Sequence, residues 1–109
     1  MKSVIYYKET STGHEVDPAY SKQMERVAIA YVKYDTADVA VSDAIDHYGY
    51  ASNEVDAAFA KKDHRAEMLT KKWNVAHKTN YTAESFVLSE CLTQACFTAQ
   101  AHGLIIITQ

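Results

Sequence analysis

Apolar side chains recur at spacings of three and four residues along most of the chain, which is the period of an α-helix with one buried face. Only three glycines and one proline interrupt this pattern, so long irregular loops are not expected. The chain has 109 residues, a length that typically forms a single core. We therefore expect one helix-rich domain over residues 1–109.

Local sequence indicates where the helices begin and end. Asp17 before Pro18 is typical of a helix start, because the Asp side chain accepts free backbone amides and proline loses no hydrogen bond in the first turn. Asp35 or Thr36 is the expected start of a second helix, and Gly49 is its expected end. The predicted helices cover residues 18–34, 36–48, 53–77 and 82–102.

Both ends of the chain are typical of β-strands. Residues 3–8 and 104–108 are rich in β-branched and aromatic side chains, and residues 14–16 are a weaker candidate. A sheet of two or three strands is stable only when helices pack on it. The sequence therefore predicts an α+β fold, with four helices packed on a small sheet formed by the N- and C-terminal strands.

The charged residues are separated by sign along the chain. Residues 34–60 contain six carboxylates and neither Lys nor Arg. At about 100° per residue, the four Asp side chains of the second predicted helix fall on one arc. Complementary charge mainly accelerates and selects association, so we predict an acidic surface that docks a basic protein partner, with a merely solvated face as the alternative. The predicted partner-binding residues are Asp35, Asp38, Asp43, Asp46, Glu54 and Asp56.

The sign reverses in the next stretch, residues 61–78, which has six basic and two acidic side chains. Three of the basic residues, Lys61, Arg65 and Lys72, share an arc beside the apolar face of the third predicted helix. They are candidates to contact an anion, a nucleic acid or the acidic surface of another copy, unless they are only solvated. The net charge of −3 argues against a general nucleic-acid binder.

Residues 41–60 also have the apolar spacing of a helix-turn-helix, with Gly49 at the turn. The second helix of such a motif would present Glu54 and Asp56 to DNA, where carboxylates are repelled by phosphates. A DNA-binding transcriptional regulator is therefore the second interpretation. A binder of a small molecule or nucleotide, with a site between subunits lined by Tyr and His, is the third.

The fourth predicted helix is apolar on two faces. Phe86 and Phe97 are eleven residues apart, which is three turns, so they align on one side of a continuous helix. We predict that these two side chains form an interface between copies, with a helix buried on all sides as the alternative.

The sequence lacks a glycine-rich phosphate loop, a Cys-x-x-Cys pair and a zinc-protease motif. We therefore predict a non-enzymatic protein, with no catalytic residue, metal or cofactor. The first eight residues lack the apolar run of a signal peptide, and no apolar run is long enough to cross a membrane, so a cytoplasmic location with reduced Cys91 and Cys96 is expected.

These expectations combine into one functional hypothesis. The chain is expected to be an oligomeric interaction module that covers or sequesters a basic partner, including a nucleic-acid-binding protein. The comparison with small acidic inhibitors encoded by viruses or plasmids is an analogy only, since composition does not establish it.

Overall fold

The computed structural model describes Lys2 and residues 4–104. Within these residues the chain is mostly helical, with four helices and one two-stranded antiparallel sheet, which is consistent with the predicted α+β class. The elements in chain order are β1 (Tyr7–Thr10), β2 (Gly13–Val16), α1 (Pro18–Tyr48), α2 (Asn53–His77), α3 (Ala83–Val87) and α4 (Glu90–Ala101).

The first helix, α1, is continuous over 31 residues, so the predicted break at Asp35–Thr36 is wrong. The buried face simply continues through this point, because Tyr34, Ala37 and Val41 follow at helical spacing with no Gly or Pro between them. The predicted start is confirmed, since the Asp17 side chain accepts a hydrogen bond from the backbone amide of Tyr20 at 3.0 Å.

The second helix, α2, has the predicted bounds. The Ser52 hydroxyl caps it by accepting a hydrogen bond from the Val55 amide at 3.2 Å. Gly49 ends α1 with a φ of 78°, a backbone conformation that costs glycine little. The short connection lets α2 return directly along α1.

The predicted helix over residues 82–102 is two helices, α3 and α4, separated at Leu88–Ser89. Thr82 caps α3 as expected from its connector sequence. The Ser89 hydroxyl donates to the Phe86 carbonyl at 2.7 Å and accepts from the Cys91 amide at 3.2 Å. A serine that bonds backbone groups on both sides replaces helical hydrogen bonds, which explains the break.

Asn74 holds the connection between α2 and α3. Its side-chain amide donates to the Tyr81 carbonyl at 3.0 Å, while its Oδ1 accepts from the Tyr81 amide at 3.1 Å and from the Thr79 hydroxyl at 2.8 Å. These three bonds satisfy polar groups where the chain reverses, and they direct α3 back along α2.

The sheet is a local hairpin in which Tyr7 pairs with Val16 and Thr10 with Gly13. The weaker predicted strand at residues 14–16 is thus a real one. The predicted C-terminal strand, residues 104–108, lies outside the described residues apart from Leu104, so a sheet joining both termini stays a prediction. The Lys2 amide does donate to the His102 carbonyl at 2.8 Å, which places the N-terminal segment beside the end of α4.

The first two helices, α1 and α2, form a long antiparallel hairpin. Near its open end the rings of Tyr20 and His77 lie 5.8 Å apart, and near its middle Lys62 Nζ lies 2.8 Å from Asp38 Oδ1. This pairing along the helices differs from the steep crossing of a helix-turn-helix, so the corner predicted at residues 41–60 is instead the tip of a hairpin.

The molecule is elongated, with principal extents of 60 × 32 × 19 Å. Its radius of gyration is 16.2 Å, whereas a compact domain of this length has about 13 Å. Measured against the thickness of a bilayer, each helix in the described part of the chain is either too short or too polar to span it.

The main hydrophobic core lies toward the open end of the hairpin, where residues of α3 and α4 complete it. Its buried members are Met24, Val27, Ala30, Tyr34, Leu69, Trp73, Ala76, Phe86 and Ala95. On α1 this core ends at Tyr34, and on α2 it begins at Leu69. We call residues 35–60, which form the far end of the hairpin, the distal arm.

Candidate protein-interaction surfaces

The distal arm contains all six carboxylates predicted to bind a partner, and it has neither Lys nor Arg. Asp35 is half-buried, and the other five are exposed. Among the described residues one ion pair forms within 4.0 Å, between Asp38 and Lys62. This bond raises the pKa of Lys62, and it neutralises one of the six carboxylates. The remaining five carboxylates leave the arm strongly acidic.

The six carboxylates do not share one face. At about 100° per residue, Asp35, Asp38 and Asp46 lie on the side of α1 that also contacts α4. Tyr31 lies on the same arc, and its pKa is raised because it is partly buried and lies beside Cys96 of α4. Glu54 lies instead on the arc of α2 that also carries Lys61, Arg65 and Lys72. The six carboxylates therefore lie on more than one side of the arm rather than along a single stripe.

Exposed apolar side chains accompany the carboxylates of the arm, and the sequence did not identify them. Val39 is 52% exposed, Tyr48 52%, Phe59 41% and Tyr50 79%. Tyr50 lies in the connection between α1 and α2, at the tip. In the sequence, only the neighbouring glycine and serine, which are typical of a turn, indicate that the Tyr50 side chain is exposed. Acidic and apolar groups therefore occur together on this surface.

A basic groove lies between α1 and α2, beside the main core. Its cavity has a volume of about 140 Å³ and a floor formed by Ile29, Ala30 and Met68. An adjoining depression extends it toward the arm. Among the described residues, no acidic side chain lines either part, and the cationic residues that line them are Arg26, Lys33, Lys61, Arg65 and Lys72.

The structure thus brings together the three predicted cations Lys61, Arg65 and Lys72 and adds two more from α1. Arg26 and Lys33 are seven residues apart, so they share one face of a helix. Sequence spacing shows that they align with each other. It does not show that α2 lies against that face, which is why the groove was not predicted.

The predicted alignment of Phe86 and Phe97 on one helix is wrong, while an interface between copies at Phe97 stays a prediction. Phe86 is fully buried against Trp73, with ring centroids 5.6 Å apart, and Phe97 is 58% exposed. The two side chains belong to different helices, because the chain breaks at Leu88–Ser89. An eleven-residue spacing places two side chains on the same side only when both belong to one continuous helix. Phe97 alone remains on the surface.

The histidines do not converge on a site. His77 packs on Trp73 with ring centroids 4.0 Å apart, and burial lowers its pKa. His102 is buried, with its Nδ1 lying 2.8 Å from the Thr98 carbonyl. The other three are exposed. In the described part of the chain, no group of three or more His, Cys, Asp or Glu side chains is arranged to hold a metal ion.

No family model, curated protein or solved structure matches this chain. Its function is therefore inferred from its own surface. Two parts of that surface differ from the rest in charge. They are the acidic distal arm and the basic groove, and both belong to the α1–α2 hairpin.

Proposed function

We propose that this chain is a non-enzymatic interaction module that docks a basic protein partner through its distal arm. The observation that supports this proposal most strongly is the charge of the arm. Six carboxylates occur there without any Lys or Arg, and only Asp38 has a basic partner within the described structure. If the other arm carboxylates formed ion pairs with the lysines of α2, the negative charge of the arm would be neutralised within the chain.

The arrangement of like charges favours binding. Asp43 and Asp46 are three residues apart on α1, so they lie on adjacent turns, and neither has a basic partner within 4.0 Å among the described residues. Like charges at this spacing destabilise a helix by about 0.2–0.5 kcal/mol per pair. A basic partner that covers them relieves this repulsion, in addition to the direct attraction between opposite charges.

The apolar side chains of the arm can supply binding affinity, to which exposed charges contribute little. Exposed charge pairs contribute mainly to association rate and selectivity, whereas buried aromatic side chains carry much of the affinity of an interface. Tyr48, Tyr50 and Phe59 are exposed among the carboxylates. A partner that presents cations around an apolar patch would match both features.

Such a partner belongs to a class that includes nucleic-acid-binding proteins, whose basic surfaces the arm would cover. Sequestration of this kind is the mode of action we propose, in a cytoplasm where the two free thiols, Cys91 and Cys96, stay reduced. An inhibitory role of the kind encoded by viruses or plasmids is one form of this proposal. Reading of DNA has less support, because Asn53 at the start of α2 lies beside Glu54 and Asp56.

The proposal is tested by titrating the protein with fluorescently labelled poly-L-lysine at fixed salt. One variant, D35N/D43N/D46N, removes three arm carboxylates and leaves the Asp38–Lys62 pair in place. The matched control, E9Q/E15Q/E25Q, removes three exposed carboxylates elsewhere. Both variants change the net charge from −3 to 0, because each removes three negative charges.

We expect the arm variant to bind about tenfold more weakly than the control, since three exposed charge pairs at roughly 0.5 kcal/mol each amount to about 1.5 kcal/mol. Circular dichroism checks that both variants keep their helices. Equal weakening in the two variants would mean that only net charge matters, and it would overturn the proposal.

A further inference from the structure

The tip of the distal arm carries carboxylates and the basic groove is lined by cations, so the two are complementary in charge. We infer that copies of this chain associate head to tail, with the arm tip of one copy seated in the basic groove of the next. This inference rests on the proposed function, because it uses the arm as the docking element and names a second copy as one of its partners.

The groove fits one aromatic ring surrounded by carboxylates. Its volume of about 140 Å³ is close to the ~150 Å³ of an engineered apolar cavity that holds a single benzene molecule. Ile29, Ala30 and Met68 form an apolar floor for such a ring. The surrounding side chains are cations only, so carboxylates next to the ring would meet Arg26, Lys33, Arg65 and Lys72.

The arm tip offers this combination. Tyr50 is 79% exposed and lies in the connection between α1 and α2, at the tip of the hairpin. Asp46 and Glu54 lie four residues before and after it. An aromatic anchor with charged neighbours that pair at its rim is the usual composition of a binding hot spot.

The contact must form between copies rather than within one. Ala30 on the groove floor and Tyr48 at the tip are 18 residues apart on the same continuous helix, a separation of about 27 Å at 1.5 Å per residue. The hairpin would have to break for its own tip to reach its groove. Because the two contact patches differ, the association is heterologous and gives rings or open chains.

A nucleic acid is the less favoured occupant. Stacking of bases on aromatic side chains contributes much of the binding of single strands, and in the described part of the chain no aromatic residue lines the groove. The net charge of −3 also opposes a polyanion. A second copy, with a net charge of only −3, is repelled much less than a polyanion.

The test measures mass by light scattering for the wild-type chain and three variants at low and high salt. The tip variant is Y50S/D46N/E54Q, and the groove variant is K33Q/R65Q/K72Q. The matched control, K8Q/K22Q/K71Q, removes three exposed lysines outside the groove. Circular dichroism checks that each variant remains folded.

At low salt we expect the wild type and the control to form species of at least twice the 12.2 kDa chain mass, and to dissociate at high salt. The tip variant alone and the groove variant alone should each be monomeric. Their equimolar mixture should form a 1:1 dimer and nothing larger, because one intact tip and one intact groove remain. A monomeric wild type, or a mixture that stays monomeric, would overturn the inference.

Two further measurements separate this inference from the proposed function. The groove variant keeps its arm intact, so it should bind labelled poly-L-lysine at least as tightly as the wild type. If self-association fails while this binding persists, only the head-to-tail contact is wrong, whereas failure of both removes the arm as a docking element. Binding of a single-stranded oligonucleotide that the groove variant loses would assign the groove to nucleic acid and overturn the inference.

Discussion

The two ends of the α1–α2 hairpin differ in how they are covered. Toward the open end, α3 and α4 complete a core in which Val27, Leu69 and Phe86 have no exposed surface. In the distal arm only Ala37, Val41 and Val55 are buried, while several aromatic side chains stay in solvent. One pair of helices thus provides both a stable core and a projecting surface.

This difference separates stability from binding. Buried apolar area stabilises a fold by about 25 cal/mol per Å², so the region around Phe86 contributes most of the stability. The arm buries little, and its like charges oppose folding locally. Substitutions at its surface should therefore alter binding much more than they alter the free energy of unfolding.

The largest expected effect compares two phenylalanines, one in each region. F86A removes a fully buried ring and should lower the free energy of unfolding by about 3–5 kcal/mol, whereas F59A, in the arm, removes a ring that is 41% exposed and should cost roughly half as much. Urea denaturation of both variants gives the two values. Similar losses would show that the arm is as much a part of the core as the region around Phe86.

A smaller effect concerns His77, which packs on Trp73 near the open end. Burial lowers its pKa from the usual 6.5. The neutral ring is therefore compatible with the folded protein at no cost only above about pH 6.5, where His77 is neutral in both the folded and the unfolded chain. Between that pH and the lower folded pKa, the unfolded chain takes up a proton and stability falls. The melting temperature should therefore decrease as the pH falls below 6.5.

Two glutamine variants check this assignment. H77Q should reduce the loss of melting temperature between pH 7 and pH 5, because the group that takes up the proton is gone. H64Q changes an exposed histidine on the same helix and should leave the loss unchanged. An equal pH dependence in wild type and H77Q would rule out His77 as its source.

The smallest effect is expected for the Asp38–Lys62 pair, which joins the arm to the rest of α2. Both side chains are partly exposed, and such pairs contribute roughly 0.2–1 kcal/mol. A double-mutant cycle with D38N and K62Q should give a coupling energy in this range. A coupling of several kcal/mol would mean that this pair anchors the arm and that the two regions are not independent.

Local sequence was sufficient to place most helix ends. Asp17, Gly49 and Ser52 each act on backbone groups a few residues away, and the structure has helix ends at all three. The break at Ser89 was missed because a serine in a helical pattern is ordinary, and only its two backbone hydrogen bonds distinguish it.

The residues of the two charged surfaces could be predicted from the sequence only in part. The charge separation between residues 34–60 and 61–78 is a property of the sequence, and the partner-binding surface inferred from it stays a prediction. The groove depends on α1 and α2 lying side by side, so Arg26 and Lys33 could not be assigned to it from spacing alone. Phe86 and Phe97 were misassigned because their alignment required a helix that the chain does not form.

The most direct measurement of the central claim is a nuclear magnetic resonance titration of the labelled protein with poly-L-lysine. If the arm is the docking element, amide shifts should concentrate in residues 35–60 and leave Val27 and Leu69 of the core unchanged. Shifts of equal size around the exposed carboxylates Glu9, Glu15 and Glu25, or no shifts within the arm, would contradict it.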